Sequence, residues 1–210
     1  MISKRIQEKG ILAKLLEKGI KILLEKECKE IGRIKINIIA SSIQIIRGII
    51  QKVNIIAEDI NYKDLLFDEI ELEANDVKVI FEIKNKEFRF KNNFIIKFKI
   101  SLSDNSLRTI LLSNNWNWVG DMICKEILNQ EKLEDIKIKN NHILMKAIKK
   151  DETINDGEKI SIRVDKGKLY LENKGYDKSI KVPIEEKVFI KDVIIENNLI
   201  NISANSSIDF

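Results

Sequence analysis

From Phe94 to Leu102 the chain alternates: Phe94, Ile96, Phe98, Ile100 and Leu102 are apolar, with Lys97, Lys99 and Ser101 in the gaps. A period of two puts successive side chains on opposite sheet faces, so this stretch reads as a strand with one buried face and one wet face. Nine residues of strand extend about 30 Å. The strand runs straight into helical spacing. Ser103 can cap a short helix whose Leu107, Ile110 and Leu111 fall on one side. Ser113-Asn114-Asn115 breaks that helix, and Trp116, Val119, Ile123 and Ile127 recur at the spacing of a second one. Everything else in the chain has to pack around this strand and its helical pair.

Before it, Ile2 to about Lys29 reads as one amphipathic helix. Ile2, Ile6, Leu12, Leu16, Ile20 and Leu23 form its stripe, widened by Leu15 and Leu24. Gly10 and Gly19 weaken it by roughly 1 kcal/mol each relative to Ala, so packing has to hold it. A cover for a sheet is the expected role; a helix lying on an anionic membrane surface is the rival. After Gly32 the period drops to two: Ile34, Ile36, Ile38 and Ala40 make a strand that Ser41-Ser42 loosens, and Arg47-Gly48 reads as a turn or bulge. Val53, Ile55 and Ala57 follow, then a loop at Asn61–Asp64. Ile70, Leu72 and Ala74 alternate with Glu69, Glu71 and Glu73, and Asn75-Asp76 is expected to turn the chain. Val77 to Ile83, then Phe88 and Phe90, make with Phe94–Leu102 an antiparallel meander of five or six strands.

Beyond about Gln130 the strand rhythm resumes, with Ile136 and Ile138 before Asn140-Asn141 and Ile143, Met145 and Ala147 after it. Asn155-Asp156-Gly157 and Lys166-Gly167 are hairpin signals. Pro183 donates no hydrogen bond and points to an edge. A last strand pair flanks Asn197-Asn198. The order helix, strands, helical pair, strands predicts an α+β protein in which a long, strongly curved antiparallel sheet wraps around the N-terminal helix and the central helical pair. One domain over 1–210 is expected, with two similar halves at 1–102 and 103–205.

The residues offer little chemistry. His142, the one histidine, stands on a strand with no second ligand at metal spacing. Cys28 and Cys124 lie far apart in predicted helices and read as buried free thiols. Glu69, Glu71 and Glu73 alternate with apolar neighbours, which makes them a solvated sheet face and not an acid–base pair. No phosphate loop or nucleophile motif is present, so no catalytic residue, metal or cofactor is expected. The 37 basic residues against 33 acidic ones give a net charge of +4 spread over the chain, with no basic block for nucleic acid. Lys, Ile and Asn are heavily used, a bias that AT-rich coding also produces, so the basic balance does not by itself point to a partner. No apolar run is long enough to span a bilayer. Met1–Lys9 carries charges throughout and does not match a secretory signal, so a cytoplasmic location, peripheral on a membrane at most, is expected. Trp116 and Trp118 point to different sides of a helix. Trp116 shares a side with Val119 and Ile123 and reads as core. Trp118 fits a half-wet rim.

The run Ile46–Ala57, followed by Asn61–Leu72, resembles the LmeA-like family of phospholipid-binding proteins, and Ile96–Ser103 through Leu107 to Trp116 resembles its short cyanobacterial branch. The resemblance covers about Ile34 to Ala204 and implies a β-rich, noncatalytic scaffold whose partner is phospholipid or a membrane surface. The long apolar face of the strand, placed directly before the helical pair that would close over it, is where an acyl chain is expected, between helices and sheet, against Phe94, Ile96, Phe98, Ile100, Leu102 and Trp118. A protein-interaction or assembly module without a lipid ligand is the alternative.

Overall fold

The computed structural model describes residues 10–82, 87–148 and 157–209. The protein is α+β, with two antiparallel sheets where the sequence led us to expect one. Helix α1 (Ile11–Glu27) comes first, then β1 (Glu30–Ile39), a short α2 (Ser42–Ile46), β2 (Ile49–Tyr62), β3 (Leu65–Glu82), β4 (Glu87–Phe90) and β5 (Phe94–Ser103). The helical pair follows as α3 (Asp104–Leu112) and α4 (Asn117–Ile123), and α4 runs into a π-helical turn at Cys124–Leu128. The remaining strands are β6 (Leu133–Lys139), β7 (His142–Ala147), β8 (Glu158–Asp165), β9 (Lys168–Asn173), β10 (Lys178–Lys181), β11 (Val188–Glu196) and β12 (Leu199–Ile208).

The large sheet has the order β1-β2-β3-β5-β12-β11, with β4 added to β3; the small one is β10-β9-β8-β7-β6. The two-halves reading therefore needs correcting. β12 pairs with β5 along its whole length, from Leu199 opposite Ser103 to Ile208 opposite Phe94, so the last two strands return to the sheet that the first five began. The C-terminal half is split between both sheets.

Local chemistry accounts for most joints. Lys63 and Asp64, Asn140 and Asn141, Lys166 and Gly167, and Asn197 and Asn198 all have positive φ in two-residue turns, the geometry whose twist matches paired strands. Asn and Asp tolerate it because their short polar side chains bond locally. Ser103 caps α3 as its position predicts, accepting from Ser106 N at 3.2 Å. Two expectations fail. Ser41-Ser42 begins α2 through a capping box, with Ser41 Oγ accepting from Gln44 N and Gln44 Oε1 from Ser41 N. Asn75-Asp76 does not turn the chain: β3 continues through it with Asp76 at φ 53°. There β3 changes partner, leaving β5 after Ala74 and taking up β4 from Val79.

Three apolar clusters lie on one face of the large sheet. The largest surrounds Cys124, Ile127, Met145 and Ile160, joining α3, α4, the π-helical turn and the small sheet to Leu102 and Ile200. A second unites Ile38, Ile50, Ala74, Val77 and Phe94 under Leu16 and Ile20 of α1. The third sets Leu169 of the small sheet against Ile190 and Ala204. Helix α1 uses a narrower stripe than its sequence offers: Ala13 is buried, while Leu15 and Leu23 are exposed. Ile2 and Ile6 lie outside the described residues.

Candidate functional site

The five alternating residues of β5 share one face, as predicted, but they do not line one groove. Phe94 and Ile96 belong to the cluster under α1, with the Phe90 and Phe94 rings edge to face at 4.9 Å. Phe98 packs with Leu169, Ile190 and Ala204. Ile100 and Leu102 join the large core. Trp118 stands apart on α4, 51 % exposed. Trp116 is half-buried, and its indole N–H donates to Lys63 O at 3.0 Å. His142 is half-buried at the start of β7. Among the described residues no three His, Cys, Asp or Glu side chains come close enough to hold a metal ion. Among them, too, no helix is long and apolar enough to cross a membrane.

Two surfaces attract attention instead, and they adjoin. The first is the end of the large sheet where β1 stops and β5 starts. Helix α2 bridges β1 to β2 there and presents Ile43 (65 % exposed) and Ile46 (76 %), three apart on one side. The start of α1 lies against it: a side chain added at Gly10 would meet Ser42 Oγ. Ile11 and Leu15 are therefore at this end, both exposed. Ile39 and Ile95 are exposed at the ends of their strands, and Phe90 on β4 adds an aromatic edge. Lys14, Arg47, Lys78 and Lys91 are exposed among them. Gly48 makes the entry to β2 possible: at φ 70° it brings its backbone against Val79 O, where any Cβ would collide.

The second surface is a trough of about 860 Å³ across the large sheet, on the face opposite the apolar one. Strand registers define it as two transverse rows. In one, Asn37 faces Asn54, Asn54 faces Glu73, Glu73 faces Lys97 and Lys97 faces Asn205. In the next, Lys35 faces Ile56, Ile56 faces Glu71, Glu71 faces Lys99 and Lys99 faces Ser203. The carboxylates here are engaged: Glu73 pairs with Lys52 at 2.5 Å and Lys97 at 3.5 Å, and Glu71 with Lys99 at 3.4 Å. The Lys52 ammonium, then the Asn75 amide, donate hydrogen bonds that hold the Glu73 carboxyl down at about 2, against an ordinary 4.5. Lys35 at one end and Lys191 at the other have no ion-pair partner among the described residues. Lys191 owes its place to a bulge: the β11–β12 register shifts between Ile190 and Asp192, leaving it as the extra residue.

Sequence reasoning placed Glu71 and Glu73 on a wet face correctly but missed the trough, because its lining comes from six strands whose order no local pattern encodes. The exposed apolar end was missed because Ile43 and Ile46 lay in a stretch read as a loosened strand. A search of protein-family models, of curated proteins and of solved structures finds no match to this chain.

Proposed function

We propose that this protein binds anionic membrane surfaces without catalysis, docking through the apolar end of its large sheet. The carrying observation is that Ile11, Leu15, Ile43 and Ile46 lie exposed together with Lys14, Arg47, Lys78 and Lys91 around them. Fully burying an isoleucine is worth about 1.5–3 kcal/mol, so an apolar cluster left in water gains from a surface that covers it. Interfacial elements settle about 5–10 Å into the boundary between headgroups and acyl chains, a depth one turn of helix and a strand end can reach. Each basic residue near an anionic leaflet adds about 1 kcal/mol. The resemblance of Ile46–Ala57 to the LmeA-like family supports the same reading. Docking by the end of the sheet replaces the acyl groove beside Phe94–Leu102, whose face is occupied by α1, α3 and the small sheet.

The test is sedimentation with vesicles of phosphatidylcholine, alone or mixed with phosphatidylglycerol. Wild-type protein is expected to sediment with the anionic vesicles, and the Ile43→Glu/Ile46→Glu double variant to stay in solution with an unchanged melting temperature, since both side chains are already in water. Wild-type protein that ignores both kinds of vesicle would overturn the proposal.

A further inference from the structure

We infer that the trough on the polar face is a headgroup site for phosphorylated polyols, a refinement that rests on membrane docking by the apolar end. Proximity to the docking end is the first argument. Ile39 lies opposite Lys52, and Ile95 opposite Ser207, in the row where β1 stops, while β2, β3 and β4 continue past it. The row Asn37, Asn54, Glu73, Lys97, Asn205 is two residues inward, about 7 Å, and the row of Lys35 and Lys99 about 14 Å. The first row therefore starts within two strand residues of the exposed Ile39 and Ile95, and the second within four.

Charge is the second argument. Glu71 and Glu73 are already bound to Lys99, Lys97 and Lys52, so the lining has no idle carboxylate for a headgroup ammonium. Its uncommitted charges are both positive, Lys35 and Lys191, on the two outermost strands of the order β1-β2-β3-β5-β12-β11. Five inter-strand gaps separate them, on the order of 24 Å, which suits a row of phosphates better than a single one. Between them stand carboxamides and a hydroxyl, Asn37, Asn54 and Ser203, groups that both donate to and accept from a polyol. Asn205 in the same lining keeps a buried carboxamide oxygen without a hydrogen-bond partner, an acceptor still unmet in the protein alone. Phosphate beside free hydroxyls fits these groups; a headgroup carrying both ammonium and carboxylate does not.

Vesicles of phosphatidylcholine containing phosphatidylglycerol, or phosphatidylserine at equal mole fraction, present the same net charge with and without hydroxyls. Wild-type protein is expected to bind the phosphatidylglycerol vesicles several-fold more tightly. Lys35→Glu/Lys191→Glu should lose that preference and weaken binding at least about tenfold, with the melting temperature unchanged because neither lysine has an ion-pair partner among the described residues. Glycerophosphoglycerol added in solution separates the sources: competition assigns a site that also takes the free phosphopolyol, and no competition assigns one that needs it lipid-borne. The inference is overturned if the double variant keeps the wild-type preference, or if wild type favours phosphatidylserine. If wild type binds no vesicle, docking itself has failed, and glycerophosphoglycerol binding measured by calorimetry then decides the trough alone.

Discussion

Glu17 on α1 accepts a hydrogen bond from the backbone N–H of Ile38 at 2.9 Å. Ile38 lies on β1, the outermost strand of the large sheet, so this carboxylate satisfies an amide that no strand reaches. The small sheet is closed in the same manner. On its outermost strand β6, Leu133 N donates to Asp121 on α4 at 2.9 Å, and Ile138 N donates to Asp104 at the start of α3. Each of these three helices thus does two things: its apolar side covers a face, and one acidic side chain blocks an edge that could template pairing with another chain.

Glu17→Ala should therefore do more than remove a surface charge. Losing the partner of a part-buried amide is expected to cost about 1–2 kcal/mol and to open the edge of β1. Chemical denaturation reads the first effect, and size-exclusion chromatography over a range of concentrations reads the second. Glu17→Gln, which keeps an acceptor, should stay monodisperse. An alanine variant matching wild type in both measurements would mean that the edge needs no such cover.

Glu73 makes a pH prediction. Its carboxyl is held at about 2 in the folded protein by Lys52 and Asn75, against 4.5 ordinarily. A carboxyl with a depressed folded pKa favours folding above its unfolded pKa, and the contribution is lost as pH falls through the folded value. The acid limb of the stability curve between about 4.5 and about 2 should thus contain a Glu73 component. Carboxyl-carbon NMR should find Glu73 titrating near the lower value in wild type and moving upward in Lys52→Ala. No movement would mean that the pair does not set the titration.

How much of this could be read from residues varied with how local the determinant was. Phe94–Leu102 carried its own strand signal, Ser103 its own cap, and Asn140-Asn141 and Asn197-Asn198 their own turns, and all of them form. Ser41 and Gln44 spell a capping box within four residues; it was legible and was overlooked because two serines looked like a loosened strand. Pairing was a different matter. That β12 lies on β5, about a hundred residues away, depends on which faces remain uncovered once α1 and α3 have docked, and any strand of suitable length and alternation would fit the pattern. The trough inherits that difficulty. Lys35, Asn37 and Lys191 are ordinary surface residues until β1 and β11 are known to end one six-strand row.

The two cysteines should part company in a labelling experiment. Cys124 is fully buried in the π-helical turn, and burial, reinforced by the Asp121 carboxylate, pushes its thiol up to about 12. Cys28, just past the end of α1, is half-buried, and its thiol is raised chiefly by burial. Only a thiolate reacts readily. A maleimide at about pH 8, near the ordinary thiol range, should add one label quickly, at Cys28, and the second at the rate of unfolding. Two labels appearing together would show that the helical pair opens easily.

Phe98→Glu gives the sharpest test of how β5 is used. Were β5 the wall of an open acyl groove, this substitution would remove ligand uptake and leave the fold alone. Phe98 instead packs between Leu169 on the small sheet and Ile190 and Ala204 on the large one. The glutamate would lose most of the ring's packing and carry a carboxylate into a face with no cation among those neighbours, a combined cost of roughly 3 kcal/mol or more. The urea midpoint should drop accordingly, while Phe98→Leu, which keeps the apolar contact, should lose only about 1 kcal/mol. A glutamate variant unfolding at the wild-type midpoint would show that the small sheet does not rest on β5, and the open groove would return as the better account of this face.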